Sequence, residues 1–253
     1  MSKLLDLSVK INHSRNNSNI LPKSIRACII GKSGCGKTCL LMNLLLNKFN
    51  DEEYLDYNSL FIFSKSLNQP VYEILIKGLE QNCSKKEILD CFIKQKFDFI
   101  KLTNKNNDVN NIKIQYCDNV NSVPDPSELD PKLKNLIIFD DIIDEKNQAR
   151  VEKYFIRGRP LNIDCIYLSQ DYFSLSKNLI RKNANFYILF EQSKEDLNLF
   201  RKAHIIDLNK EEFIKLCHEC WKDDYGFITI DLSSKINYGK YRKMLNYFYI
   251  NKI

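Results

Sequence analysis

Residues 31–38 read GKSGCGKT, and no other stretch constrains the fold as tightly. The pattern is Gly31, four residues, then Gly36-Lys37-Thr38, behind the apolar run Ala27 to Ile30 and ahead of CLLMNLLL. Three of the chain's seven glycines fall here. The residue that most readily takes left-handed torsions is thus concentrated where successive amides must turn inward around an anion. A buried strand, a glycine turn and a helix are predicted in that order, which is the setting the pattern requires. The predicted cradle for the phosphates of ATP is Gly31, Lys32, Ser33, Gly34, Cys35, Gly36, Lys37, Thr38 and Cys39, with the helix N-terminus adding its dipole. Lys37 is expected on the β- and γ-phosphates, and Thr38 on Mg²⁺ through its hydroxyl.

At 253 residues the chain has length for one well-cored α/β domain and little besides. No segment reaches the run of about 18 apolar residues that a membrane span needs, and the polar N-terminus MSKLLDLSVKINHSRNNSN has no signal-peptide core. The nine cysteines are odd in number and scattered through predicted core elements. That distribution suits free thiols in a reducing compartment, not a disulfide framework. A net charge of +6 permits a polyanionic partner without demanding one.

Residues 1–20 read as a polar arm ahead of a domain spanning 21–253. Within that domain strands are expected at 26–30, 59–64, 98–102, 136–139, 165–169, 186–190 and 225–232. Helices are expected at 36–48, from Pro70 (which suits a first helical turn), at 85–97, near 146–156, at 193–204 and at 209–217. Residues 103–135, rich in Asn, Asp and Pro, read as an irregular insertion with one short strand at IKIQY. The basic, tyrosine-rich tail 233–253 is open to three readings: phosphate contact through Lys235, Lys240, Arg242 and Lys243, docking on a partner, or closure of the fold. Strands alternating with helices argue for one parallel sheet covered on both faces.

LIIFDD is the second diagnostic stretch. An apolar strand ending in two carboxylates puts Asp140 and Asp141 at the C-terminal edge of the sheet, beside the phosphate loop. Asp140 is expected in the outer shell of Mg²⁺, and Asp141 as the general base for the attacking water. ATPases with this second carboxylate place one further strand between the two motif strands. CIYLSQ fits that strand, with Gln170 at its end facing the γ-phosphate.

On these residues the chain resembles the poxvirus-type genome-packaging ATPases of the FtsK–HerA superfamily, shared by large DNA viruses, virophages and Polinton-like elements. The resemblance covers residues 25–232. It is carried by GKSGCGKT, NQPVY, LIIFDD, IRGRPLNIDCIYLSQDY, LIRKNANFYILF and YGFITID; the first and third are generic to phosphate-loop ATPases, the combination of the others far more specific. Pro160 stands where many members have a histidine. The resemblance implies a RecA-like α/β fold of the additional-strand, catalytic-carboxylate class, with a mostly parallel sheet in the order 5-1-4-3-2 and helices on both faces. It implies ATP and Mg²⁺ as cofactors, a motor moving double-stranded DNA into a capsid, a homo-oligomeric ring (pentamer or hexamer) and a capsid or portal-vertex partner. The implied location is the host-cell cytoplasm, a viral factory or the virion, without secretion. A ring explains the arginines: a guanidinium from a neighbouring subunit can complete an ATP site. Arg159 is the first candidate, Arg157 the second and Arg181 the third.

The alternatives are a FtsK/HerA-like translocase or helicase not tied to capsids, a nucleotide kinase, and an assembly protein using ATP only as a lock. TNKNND misses the guanine-reading pattern of GTPases by one position. Cys217-His218-Glu219-Cys220 supplies too few well-spaced ligands for structural zinc and reads as thiols at a helix end.

Overall fold

The computed structural model describes residues 16–95, 111–142 and 148–248. Strand β1 (Arg26–Ile30) runs through the glycine turn into α1 (Lys37–Leu46). A small hairpin of β2 (Lys48–Phe49) and β3 (Glu52–Glu53) precedes β4 (Ser59–Ser64), α2 (Pro70–Glu80) and α3 (Lys85–Lys94). Then follow β5 (Lys113–Cys117), β6 (Asn135–Asp140), α4 (Gln148–Arg157), β7 (Ile163–Ser169), the short α5 (Ile180–Asn183) and β8 (Phe186–Leu189). The last elements are α6 (Lys194–His204), α7 (Lys210–Cys220), β9 (Ile228–Asp231), β10 (Tyr241–Lys243) and β11 (Tyr247–Phe248).

Among the described residues, nine strands form one sheet in the order β11-β10-β9-β8-β1-β7-β6-β4-β5. Its central five, β8-β1-β7-β6-β4, are parallel. Counted among themselves in chain order they run 5-1-4-3-2, as the resemblance implied. The flanks extend that order: β5 adds a parallel edge beside β4, while β9, β10 and β11 continue beyond β8 as an antiparallel ribbon.

Every central strand is apolar on both faces because helices cover both. In β1, Ala27 and Ile29 join one core while Cys28 and Ile30 join the other. The same alternation splits Leu60/Ile62 from Phe61/Phe63 in β4 and Leu136/Ile138 from Ile137/Phe139 in β6. The first core is closed by α1, α2 and α3, the second by α4, α6 and α7. Pro70 occupies the first turn of α2, where its missing N–H costs nothing. Ser84 with Glu87 and Asn209 with Glu212 form capping boxes that start α3 and α7.

The insertion carries the short strand expected at IKIQY. Residues 113–117 pair with β4, and Ile112 and Ile114 pack on the first core. Lys113 and Gln115 lie outside that core, and an edge strand tolerates such alternation. Downstream, the guanidinium of Arg150 donates to the carbonyls of Asn121 (2.5 Å) and Val123 (2.9 Å), and Tyr154 donates to Pro124 (2.8 Å). The strand expected at 98–102 and the TNKNND stretch lie outside the described residues.

Both ends of the described chain are docked. Ser18 and Ile20, assigned to the arm, are buried, and Asp164 accepts from the Ile25 amide (2.8 Å) and the Asn17 side chain (3.1 Å). The tail closes the sheet. Arg242 pairs with Asp231 at 3.2 Å, both side chains at most 5% exposed, and also donates to the Ile20 carbonyl. Lys240 pairs with Asp207 and Lys243 with Asp223, each at 2.6 Å. Three of the four cations weighed for phosphate contact, Lys240, Arg242 and Lys243, are therefore engaged with carboxylates of the domain, which favours closure over phosphate contact. Cys217 and Cys220 are buried free thiols, and the described residues contain no cluster able to hold a metal ion through His, Cys, Asp and Glu alone. No described helix is long and apolar enough to cross a membrane.

Candidate active site

The parallel order sends the C-terminal ends of β1, β6 and β7 to one edge of the sheet, and a cleft of about 360 Å³ opens there. The loop between β1 and α1 forms one wall. Gly34 (φ +79°) and Gly36 (φ +103°) hold torsions that side chains resist. A Cβ on Gly31 would lie 2.6 Å from both Cys35 Sγ and Phe190 Cβ, so glycine there lets the loop close onto β8. Gly31 N–H also donates to Ser169 O at 3.1 Å, tying the loop to β7. Lys37 Nζ bridges the carbonyls of Gly31 (2.5 Å) and Lys32 (3.0 Å). Helix α1 has no acidic residue in its first turn and no side-chain cap, which leaves its amides and its positive dipole end for an anion.

Opposite the loop stand the ends of β4 and β6. Asp140 is buried, and its Oδ2 accepts from Tyr72 Oη at 2.6 Å and from Ser64 Oγ at 3.4 Å. Burial pushes its carboxyl above the ordinary range; the Tyr72 and Ser64 donors and Lys37 oppose that, and Asp141 adds to it. Both hydrogen bonds go to Oδ2, so Oδ1 remains for a further partner. The Thr38 hydroxyl and the Asp140 carboxylate, both of residues lining the cleft, are hard oxygens of the type Mg²⁺ selects, the hydroxyl suited to the ion itself and the carboxylate to the waters that such an ion retains.

Asp141 leaves the strand at once, at φ +52°, a torsion that aspartate accepts more readily than most residues. Gln170, one residue beyond β7, donates from Nε2 to Asp141 Oδ2 at 3.2 Å. Lys37, Thr38, Asp140, Asp141 and Gln170 are thus gathered around one cleft together with Ser33, Gly34, Gly36 and Cys39 of the loop.

Residues 12–224 match the poxvirus A32 protein family. The chain belongs to that family. It is the family of packaging ATPases to which the motifs pointed. Among solved structures, it is similar to the genome packaging NTPase B204 from Sulfolobus turreted icosahedral virus 2 in complex with AMPPCP: 14% identity, 83% of this chain and 93% of that one covered, TM-score 0.50. B204, the DNA-packaging ATPase from Sulfolobus Turreted Icosahedral Virus, matches at 14% identity over 82% and 92% of the two chains, TM-score 0.48. VirB4 of Thermoanaerobacter pseudethanolicus matches at 11% identity over 84% and 87%, TM-score 0.45. No curated protein sequence matches the chain.

In this family member the three candidate arginines lie away from the cleft. Arg157 ends α4, and Arg159 opens a 3-10 turn leading into β7. Because β7 is parallel to β1, that turn sits at the opposite edge, about 20 Å from the cleft by strand length alone. Both side chains are exposed, and Arg159 lines a groove with Arg26 and Lys182. Arg181 is different: it is buried, it donates to the carbonyls of Leu175 (2.7 Å) and Phe173, and its guanidinium lies 4.7 Å from the centre of the Tyr172 ring. Its own chain holds it, which removes it from the trans candidates.

Residue types and spacing did not disclose Ser64 and Tyr72, the two donors to Asp140, or Ser66 and Gln69, which also line the cleft. The one signal was NQPVY. Pro70 starts α2, and Tyr72, at its third position, reaches back to the end of β6.

Proposed function

We propose that this DNA-packaging ATPase couples Mg²⁺-dependent ATP hydrolysis to the movement of double-stranded DNA into a capsid, working as a homo-oligomeric ring. The observation that carries the reading is the meeting of Asp141 and Gln170 with the phosphate loop in one cleft. The loop amides, the α1 N-terminus and Lys37 bind and orient the phosphates. Thr38 and Asp140 would hold Mg²⁺, which when bound neutralises charge on the β- and γ-phosphates. Asp141 takes the proton from the attacking water as its oxygen bonds to the γ-phosphorus and the bond to the β–γ bridging oxygen breaks, giving ADP and phosphate. Gln170 positions Asp141 and links β7 to the state of the γ-phosphate. A second copy in the ring would present Arg159, or Arg157, to this cleft from its far edge. Family membership supports the DNA substrate and favours the motor over a nucleotide kinase.

ATP turnover measured with and without linear duplex, across a salt titration, tests the proposal. Duplex of any sequence should stimulate turnover at low salt, and the stimulation should fade as salt rises and phosphate contacts are screened. Turnover indifferent to DNA at low salt would contradict the motor.

A further inference from the structure

Beside the phosphate cleft lies a second cavity of about 620 Å³, and the two share Gly36 and Cys39. Its walls are apolar: Leu40 of α1, Phe190 after β8, Phe227 before β9, and Met244 and Leu245 in the turn joining β10 to β11. Asn43 and Asn246 add two carboxamides to the lining.

Tyr225 lines this cavity with a side chain 70% exposed, whereas the apolar walls Leu40, Phe190, Phe227 and Leu245 are buried. Its backbone is left-handed, at φ +58°, a torsion that bulky residues rarely hold and that gathers at ligand clamps. The flanking loop fixes it there. Trp221 Nε1 donates to Leu189 O at 2.9 Å, Gly226 N–H closes a turn onto Asp223 O at 2.9 Å, and Lys243 pairs with Asp223 at 2.6 Å. The result is an aromatic ring held against the phosphate loop: a Cβ on Gly36 would stand 3.3 Å from Tyr225 Cδ1.

We propose that this cavity seats the purine base of the bound nucleotide, with the Tyr225 ring stacked on the base and the ribose crossing at Gly36 and Cys39. The inference rests on the ATPase reading of the adjoining cleft. With the γ-phosphate at Asp141 and Gln170, the chain of phosphates passes Lys37 and Thr38, and the rest of the nucleotide leaves on the side of Gly36 and Cys39, where this cavity begins. A base is a flat apolar body with a polar rim, which matches apolar walls carrying two carboxamides, and aromatic faces stack on one another favourably. The volume lies in the range of small-molecule sites. The β10–β11 turn thereby gains a function: it supplies one wall of the base site.

Calorimetric titration with Mg²⁺-ATP and with Mg²⁺-tripolyphosphate, which has the phosphates but no base, tests the assignment. Three proteins are compared: the unaltered chain, Tyr225→Phe and Tyr225→Gly. Glycine removes the ring and eases the left-handed backbone, so a strained fold does not account for lost binding. Tyr225→Gly should weaken ATP between about five-fold and a hundred-fold, the range expected for one base–aromatic stack, and leave tripolyphosphate unchanged. Tyr225→Phe should keep the ATP affinity. Equal ATP affinity in Tyr225→Gly, or equal weakening of both ligands, would overturn the base site while leaving the phosphate cleft intact. An unaltered chain that bound neither ligand would overturn the ATPase reading and this inference with it.

Discussion

Gln170 Nε2 lies 3.2 Å from Asp141 Oδ2, so the residue just past the end of β7 holds the carboxylate just past the end of β6. The two residues directly follow β7 and β6, which are adjacent in the sheet, and a shift of either strand end is felt by the other. Asp141→Asn should keep ATP binding and lower turnover at least about 100-fold, because the amide cannot accept the water's proton. Gln170→Ala should lower kcat with little change in KM. Steady-state kinetics beside direct nucleotide binding would show this, and normal turnover in Asp141→Asn would remove the base assignment.

The second relationship is between Tyr72 and Asp140. The Tyr72 hydroxyl supplies the short bond to a carboxylate whose burial works against its charge. Tyr72→Phe removes that donor and keeps the ring. By analogy with other partners of metal-holding carboxylates, the Mg²⁺ concentration for half-maximal ATPase should rise about 10-fold while the KM for ATP stays near its original value. A Mg²⁺ titration at saturating ATP reads this directly; an unchanged midpoint would assign Tyr72 to packing alone.

His204 sets an acid limit on stability. It is packed among Tyr172, Tyr187 and Phe200, its Nε2 lies 2.8 Å from Tyr172 Oη, and burial, with Arg181 and Lys240 nearby, lowers its pKa from 6.5 to about 4. Between those values the unfolded chain binds the proton and the folded chain does not. This contribution is therefore whole above pH 6.5 and falls as pH drops, by up to about 3 kcal/mol. His204→Gln keeps a partner for Tyr172 but cannot take up a proton. Urea unfolding midpoints of the two proteins from pH 7 to 4 should converge as the pH falls; parallel curves would contradict the assignment.

Much of this site was legible in the sequence because its chemistry is local. The glycine spacing, Lys37 and Thr38 lie within eight residues, and LIIFDD and CIYLSQ each end an apolar run in the polar group that matters. What was not legible depends on long-range meetings. Tyr72 is 68 positions from Asp140, and the cavity beside Tyr225 gathers residues from α1, the segment after β8, the segment before β9 and the tail. Charge alone could not decide where burial intervenes: Arg181 was a candidate for a neighbour's site and the tail with Lys240 and Arg242 was open to three readings, yet each of the three is buried and held by carbonyls or carboxylates. Within the insertion, β5 was legible at IKIQY because an edge strand needs only one apolar face, which Ile112 and Ile114 supply.

Arg159 lies at the far edge of the sheet from its own cleft, exposed and free to meet a neighbour. Arg159→Ala should bind ATP and hydrolyse it poorly. Mixed with Asp141→Asn subunits it should regain part of its activity, because one interface then pairs an intact base with an intact arginine. Native mass spectrometry checks that mixed rings form; mixed rings without recovered activity would exclude Arg159.

The central claim, ATP-driven movement along duplex DNA, is tested most directly by triplex displacement. A short third strand bound to a linear duplex is released when a motor arrives. The account predicts release that requires ATP, fails with Asp141→Asn and leaves the two duplex strands paired. ATP turnover with the third strand still in place, or separation of a forked duplex, would contradict it.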